Sequence, residues 1–264
     1  MINNYRNNNY FQSPPVFTSP VNITSVSVNE ILNKKKLAIA IDNSNQTRRS
    51  KDGRKIDPNT QLAREIALNY RRYEPLHIRL RSLCTNTNHS GILNAAELTS
   101  LTFVDIVNML TFLRNAGVIE RFTHYTVGSI FVQFRNEAVD FYSKHFADIY
   151  ICDLVRGFKP DEIYYDVTLI DTASTTYSTL KIDVVYRKGA KVNFVVSALS
   201  GNVLNKNQLE RLTKIANRLK YNVTFVISPS VPCDSVRYAL QGLVNVGVNF
   251  KVVTFANPLQ FSLL

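Results

Sequence analysis

Apolar residues recur at helical spacing through the first half of the chain, downstream of residue 56. A helix is predicted from Asp57, with Pro58 at its first position, because proline has no amide hydrogen to leave unpaired there. We expect Pro75 to end this helix or to start the next one, since proline disrupts a helix interior. The helices predicted after it are Leu76–Leu83, Ala95–Leu98 and Phe103–Asn115.

The rest of the chain is predicted to contain strands, from alternating or continuous apolar residues, with helices between them. After Gly117, the segments 118–122 and 129–134 predict a hairpin, with Ile130, Val132 and Phe134 on one side of its second strand. The predicted elements beyond it are a helix at 136–151, strands at 164–170, 179–186 and 192–198, a helix at 205–220, a strand at 223–227, a helix at 235–244 and a strand at 250–255. A separate apolar run, Leu37–Ile41, predicts one more short strand.

Three helices followed by a two-stranded hairpin is the order of a winged helix-turn-helix unit. The phrase from Ala95 to Arg121, in which the third helix leads through Gly117 into Val118-Ile-Glu-Arg121, resembles archaeal and bacterial winged-helix regulators. The resemblance covers about sixty residues and implies a DNA-binding unit at 75–135. The composition, rich in Asn, Tyr, Ile and Val, suggests an archaeal or archaeal-virus origin.

The order helix, three strands, helix, strand, helix, strand over residues 136–256 resembles the restriction-endonuclease-like, or PD-(D/E)xK, nucleases. These enzymes carry an aspartate on the second strand and a Glu-x-Lys on the third, and the carboxylates bind a divalent metal ion that activates water. The resemblance places Asp183 at the aspartate and Val196-Ser-Ala198 at Glu-x-Lys. It therefore implies a mixed α/β fold with a broken metal site, because a single carboxylate binds Mg²⁺ weakly.

This broken motif leaves three hypotheses for the function. In the first, the domain at 136–264 is catalytically inactive, needs no cofactor or metal, and serves DNA contact or assembly. In the second, the catalytic residues have moved, and the protein is a Mg²⁺-dependent DNA endonuclease of the resolvase or restriction type. The candidate catalytic residues are then Asp183, Asp166, Glu137 and Lys206. In the third, the chain is a protein-interaction scaffold that does not touch nucleic acid. The alternative to a metal-binding role for Asp183 is a strand residue that faces solvent or caps a turn.

The net charge of +11 changes the balance among these hypotheses, because Lys and Arg side chains attract polyanions and release counterions from phosphates. Thirteen basic and five acidic residues fall within 34–81, so the positive charge is concentrated there. The candidate nucleic-acid-binding residues are Lys34, Lys35, Lys36, Arg48, Arg49, Lys51, Arg54, Lys55, Arg71 and Arg72, with Asn108 and Arg114 on the third helix. A charge cluster of this kind is otherwise a solvated surface.

The predicted recognition helix carries few charges suited to DNA. Asp105 would repel phosphate, Arg114 is its basic residue, and Asn108 can pair bidentately with adenine. The helix therefore suits protein packing or dimerisation as well as base recognition.

The cysteines, the histidines and the length of the apolar runs exclude several classes of protein. Three widely spaced cysteines argue against a disulfide framework or a cysteine zinc site. The four histidines, His77, His89, His124 and His145, show no metal-ligand spacing with a carboxylate, and we assign them no role. The sequence contains no run of eighteen apolar residues, the length that would predict a membrane span. This favours a soluble cytoplasmic protein.

We divide the chain into a flexible arm at 1–25, a basic region with a helix at 26–74, the winged-helix domain at 75–135 and the nuclease-like domain at 136–264. The sequence favours a non-enzymatic DNA-binding protein, either a regulator or a nucleoprotein component. Its expected partner is double-stranded DNA, with RNA as an alternative, with no membrane partner and with self-association into a homo-oligomer.

Overall fold

The computed structural model describes residues 27–34, 36–41, 58–172, 179–199, 204–220 and 222–255. These residues form one sheet of six strands and one of three, with helices packed against them. The mixed α/β class predicted from the sequence is confirmed. The predicted arm at 1–25 and the basic residues at 48–55 lie outside the described part of the chain.

The first half of the chain begins with a short helix and strand, followed by a long helix and the small sheet. Its elements are α1 (Val28–Lys34), β1 (Leu37–Ile41), α2 (Pro58–Cys84), β2 (Ser90–Asn94), a 3₁₀ turn (Ala95–Glu97), α3 (Phe103–Asn115), β3 (Ile119–Thr126) and β4 (Ser129–Phe134). Helix α3 begins at a capping box between Thr102 and Asp105 and is followed by Gly117 with φ +78°. The predicted strand at Leu37–Ile41 and helix at Phe103–Asn115 are confirmed.

Helix α2 continues through Pro75, so the helix boundary predicted there is wrong. A proline inside a helix costs about 3 kcal/mol relative to alanine. Tyr70, Leu76 and Leu80 on either side of it are fully buried in one core. Burial of this face offsets the local cost, because helices in proteins are stabilised mainly by packing.

The small sheet has the order β2-β4-β3, and both of its pairings are antiparallel. Ile130, Val132 and Phe134 of β4 are buried, as their alternation predicted. Strand β2 was not predicted from the sequence, and it pairs with β4 from Ser90 opposite Gln133 to Asn94 opposite Ser129. The unit therefore has the order helix, strand, 3₁₀ turn, helix, hairpin.

The second half of the chain follows the predicted order. Its elements are α4 (Asn136–Asp140), a π-helical turn (Phe141–His145), α5 (Phe146–Arg156), β5 (Glu162–Asp171), β6 (Thr179–Lys188), β7 (Lys191–Ala198), α6 (Lys206–Leu219), β8 (Asn222–Ile227), α7 (Cys233–Gln241) and β9 (Phe250–Thr254). The six-stranded sheet has the order β1-β5-β6-β7-β8-β9, antiparallel up to β7 and parallel from β7 to β9. Strand β1 therefore joins the sheet from the first half of the chain.

Two apolar cores cover the two faces of this sheet. The α2/α5 core, which includes Tyr70, Phe146 and Val184, also takes in α3 and the small sheet. The α6/α7 core, which includes Leu212 and Phe194, takes in α1. No helix among the described residues is long and apolar enough to cross a membrane.

Candidate active site

The backbone pairing between strands β6 and β7 ends at one side of the sheet, and a side-chain carboxylate accepts the next hydrogen bond from β7. Their register runs from Lys188 opposite Lys191 to Val184 opposite Val195. At the next position of β6, the Asp183 carboxylate accepts a hydrogen bond from the backbone N–H of Ser197. Asp183 is only 4% exposed, so the alternative in which it faces solvent is wrong.

Asp166 of β5 lies at the matching position beside Asp183. Tyr165 packs in the α2/α5 core and Val167 in the α6/α7 core. The β6 residues opposite them, Val184 and Ile182, likewise pack in the α2/α5 core and the α6/α7 core. Residues two apart on a strand normally lie on the same face of the sheet. In β5 and β6 they lie on opposite faces, so the regular alternation of side chains is interrupted at the two aspartates. Asp166 has φ +50°, a conformation that aspartate tolerates better than most residues and that clusters at functional sites.

The helix before β5 supplies two more groups to the same place. His145 ends the π-helical turn and Asp148 lies one helical turn later in α5. His145 Nδ1 is 3.8 Å from Asp148 Oδ2 and 3.6 Å from Asp166 Oδ2. π-helical turns are rare and are frequent at functional sites. Here the turn places the imidazole over both carboxylates.

Lys181 completes the cluster from β6. Its Nζ lies 2.9 Å from Asp166 Oδ1, and its side chain is 49% exposed. Burial by itself would lower the pKa of Lys181, but the hydrogen bond that it donates to Asp166 and the charges of Asp166, Asp148 and Asp183 raise it. The lysine therefore stays protonated, with part of its ammonium group open to solvent.

Carboxyl groups outnumber basic groups within the cluster. Asp148, Asp166 and Asp183 are 3%, 5% and 4% exposed, against one lysine and one histidine. Burial and the charge of Asp148 raise the pKa of Asp183 to about 7, and burial also raises the pKa of Asp148. The neighbouring carboxylates of Asp148 and Asp166 raise the pKa of His145 despite its partial burial. Asp148 and Asp183 therefore take up protons at a higher pH than exposed aspartates do.

The donor atoms suit a divalent metal ion. One ligand atom each from His145, Asp148 and Asp166 lie within 4.8 Å of one another. Carboxylate oxygens are the ligands that Mg²⁺ and Mn²⁺ prefer, and an imidazole nitrogen is acceptable to Mn²⁺. A divalent cation would also favour the ionised form of the buried carboxyl groups.

The structure brings together two of the four catalytic residues proposed from the sequence. Asp166 and Asp183 lie in the cluster, whereas Glu137 is exposed on α4 and Lys206 is exposed near Glu210 of α6. The sequence assigned no role to a histidine, whereas the fold brings His145 next to Asp148 and Asp166. The missed signals were the separation of three between His145 and Asp148 on a helix and of two between Lys181 and Asp183 on a strand.

The candidate nucleic-acid-binding residues that the structure describes lie mostly on the surface. Lys34, Lys36, Arg71 and Asn108 are exposed. Arg72 binds Asp105 at 2.7 Å, and Arg114 lies 5.3 Å from the centre of the Phe122 ring. The ion pair with Arg72 neutralises the carboxylate that the sequence analysis expected to repel phosphate. Lys35, Arg48, Arg49, Lys51, Arg54 and Lys55 lie outside the described residues.

The fold is mixed α/β, and two solved structures are similar to it. The chain is similar to protein VC1899 from Vibrio cholerae, with 11% identity and a TM-score of 0.58 over 85% of this chain and 57% of that one. It is also similar to Can2 from Sulfobacillus thermosulfidooxidans, solved in complex with cyclic tetra-adenylate (cA4), with 13% identity and a TM-score of 0.59 over 89% of this chain and 58% of that one. The chain thus spans less than three fifths of either structure. Neither a protein-family model nor a curated protein matches the sequence.

Proposed function

We propose that the protein is a metal-dependent nuclease in which the metal-binding residues have moved away from the usual Glu-x-Lys. One observation carries this proposal, namely the convergence of buried Asp148, Asp166 and Asp183 with Lys181 where β6 and β7 part. Buried carboxylates with raised pKa values cost folding energy, and such arrangements cluster at functional sites. Asp148 and Asp166 replace the carboxylate that β7 lacks.

Each residue has a distinct role in the proposed mechanism. Asp148, Asp166 and His145 would hold a divalent metal ion, and that ion would polarise a phosphodiester and lower the pKa of water. Asp183 accepts a hydrogen bond from the Ser197 N–H, and this contact orients its carboxylate. Lys181 keeps an ammonium hydrogen close to Asp166 and half of its side chain in solvent, where it can donate to a phosphate oxygen.

The small sheet with α2 and α3 is proposed to bind the nucleic acid. Its order helix, strand, turn, helix, hairpin and its sheet order β2-β4-β3 support the winged-helix interpretation. Pairing of Asp105 with Arg72 leaves exposed Asn108 next to a neutralised carboxylate on α3. The strongly positive net charge supports a polyphosphate substrate.

The non-enzymatic hypothesis favoured by the sequence stays a prediction. The ion pair between Lys181 and Asp166 supports it, because a salt bridge can satisfy a buried carboxylate without a metal. In that case the cluster is a structural network, and the protein binds DNA without cutting it.

One experiment separates the two hypotheses. The full chain is incubated with single-stranded DNA, double-stranded DNA and RNA, each with Mg²⁺, Mn²⁺ or EDTA, and binding is followed by gel shift at two salt concentrations. We expect cleavage of at least one substrate with Mn²⁺ and none with EDTA. Binding that weakens with salt, without cleavage under any condition, supports the non-enzymatic hypothesis. If neither binding nor cleavage is observed, both the nuclease hypothesis and the non-enzymatic DNA-binding hypothesis are overturned.

A further inference from the structure

Arg81, near the end of α2, reaches two backbone carbonyls that belong to other elements. Its Nε and Nη2 donate to the Ser143 carbonyl at 3.2 and 2.9 Å, and its Nη1 donates to the Leu199 carbonyl at 3.5 Å. Its Cζ lies 5.8 Å from the centre of the Phe146 ring. The guanidinium therefore joins α2, the π-helical turn and the end of β7.

Both carbonyls lie two residues from a group of the candidate active site. Ser143 precedes His145 within the π-helical turn, and Leu199 follows Ser197, whose N–H binds Asp183. A π-helical turn departs from the regular helical ladder, so its carbonyl positions depend on other donors. Two hydrogen bonds, from Nε and Nη2 of one guanidinium, converge on the Ser143 oxygen and fix its position.

We propose that Arg81 is a positioning residue that holds the imidazole of His145 and the Ser197–Asp183 contact in the arrangement that binds the metal ion. This inference rests on the proposed function. Through Arg81, the helix that begins the proposed nucleic-acid-binding unit is tied directly to the metal-binding cluster. A lysine cannot replace it, because a lysine offers a point charge rather than a rigid fork of donors.

The test measures Mn²⁺ binding to the full chain by electron paramagnetic resonance of the free ion. Arg81→Ala is compared with wild type and with Arg79→Ala, a control two residues away whose side chain binds Glu97 at the surface. We expect Arg81→Ala to weaken Mn²⁺ binding by about tenfold or more, as loss of an outer-shell partner does. The control keeps wild-type affinity, and millimolar guanidinium restores part of the affinity of Arg81→Ala alone.

The outcomes separate this inference from the proposed function. Wild-type Mn²⁺ affinity in folded Arg81→Ala overturns the role of Arg81 and leaves the metal site in place. Absence of Mn²⁺ binding by wild type overturns the proposed function, and this inference with it. If circular dichroism shows that Arg81→Ala is unfolded, Arg81→Lys is measured instead, and full affinity in that folded variant overturns the proposal.

Discussion

Replacing Asp166 or Asp183 by asparagine is expected to reduce metal-dependent cleavage of nucleic acid by about 10³-fold, because a bound metal ion contributes several kcal/mol to transition-state stabilisation and each 1.36 kcal/mol is tenfold in rate. Asparagine has nearly the shape of aspartate and can still accept the hydrogen bond from the Ser197 N–H. Loss of charge, rather than loss of packing, is therefore what the substitutions report. Initial rates with Mn²⁺ in excess measure the effect.

Asp140→Asn is the matched control for this loss. Asp140 lies on α4, before the π-helical turn, and its exposed side chain pairs with Lys144 at 2.9 Å. It should cut at the wild-type rate. Equal rates for wild type, Asp166→Asn and Asp183→Asn would mean that the cleavage comes from another site or from a contaminating nuclease.

Asp183→Asn is also expected to stabilise the protein at pH 8 in the absence of metal. Burial raises the pKa of Asp183 to about 7 in the folded state, whereas the unfolded value is about 3.9. The folded protein therefore binds a proton at Asp183 that the unfolded chain releases, and the contribution of Asp183 to the free energy of unfolding falls as pH rises from about 4 to about 7 and then levels off. Asparagine removes this loss, so the variant should gain up to about 4 kcal/mol at pH 8 and little at pH 4.

Urea unfolding in EDTA at pH 4, 6 and 8 measures this difference. Added Mn²⁺ should stabilise wild type, because a ligand that binds only the folded state adds free energy according to its affinity. A wild-type stability that stays parallel to that of Asp183→Asn across this pH range would show that Asp183 is ionised in the folded protein, contrary to the account.

Local sequence patterns were sufficient to predict most of the helices and strands. The buried strand β8 and the amphipathic helix α6 follow from apolar runs and helical spacing within a few residues. Elements that depend on distant partners were missed or misjudged. Strand β2 is defined by its pairing with β4, and Pro75 stays inside α2 because Tyr70 and Leu76 are buried against other elements.

The candidate active site was predictable only in part. Asp183 was identified because its strand position matches a known motif, and Asp166 because it lies on the neighbouring strand. His145 and Asp148 join them only after α5 packs on the sheet and the π-helical turn rotates the imidazole toward Asp166. Sequence order separates these groups by up to 38 positions, from His145 to Asp183, so their convergence is a property of the fold.

The central claim is that His145, Asp148 and Asp166, beside Asp183, bind a divalent cation. The most direct test is Mn²⁺ binding by the full chain at pH 6 and pH 8, measured for wild type and for Asp148→Asn, Asp166→Asn and Asp140→Asn. Because the metal must displace protons from the buried carboxyls, we predict one Mn²⁺ site in wild type and in Asp140→Asn that tightens from pH 6 to pH 8, and loss of that site in the other two variants. Wild-type binding that is absent at pH 8, or that survives in both Asp148→Asn and Asp166→Asn, would contradict the account.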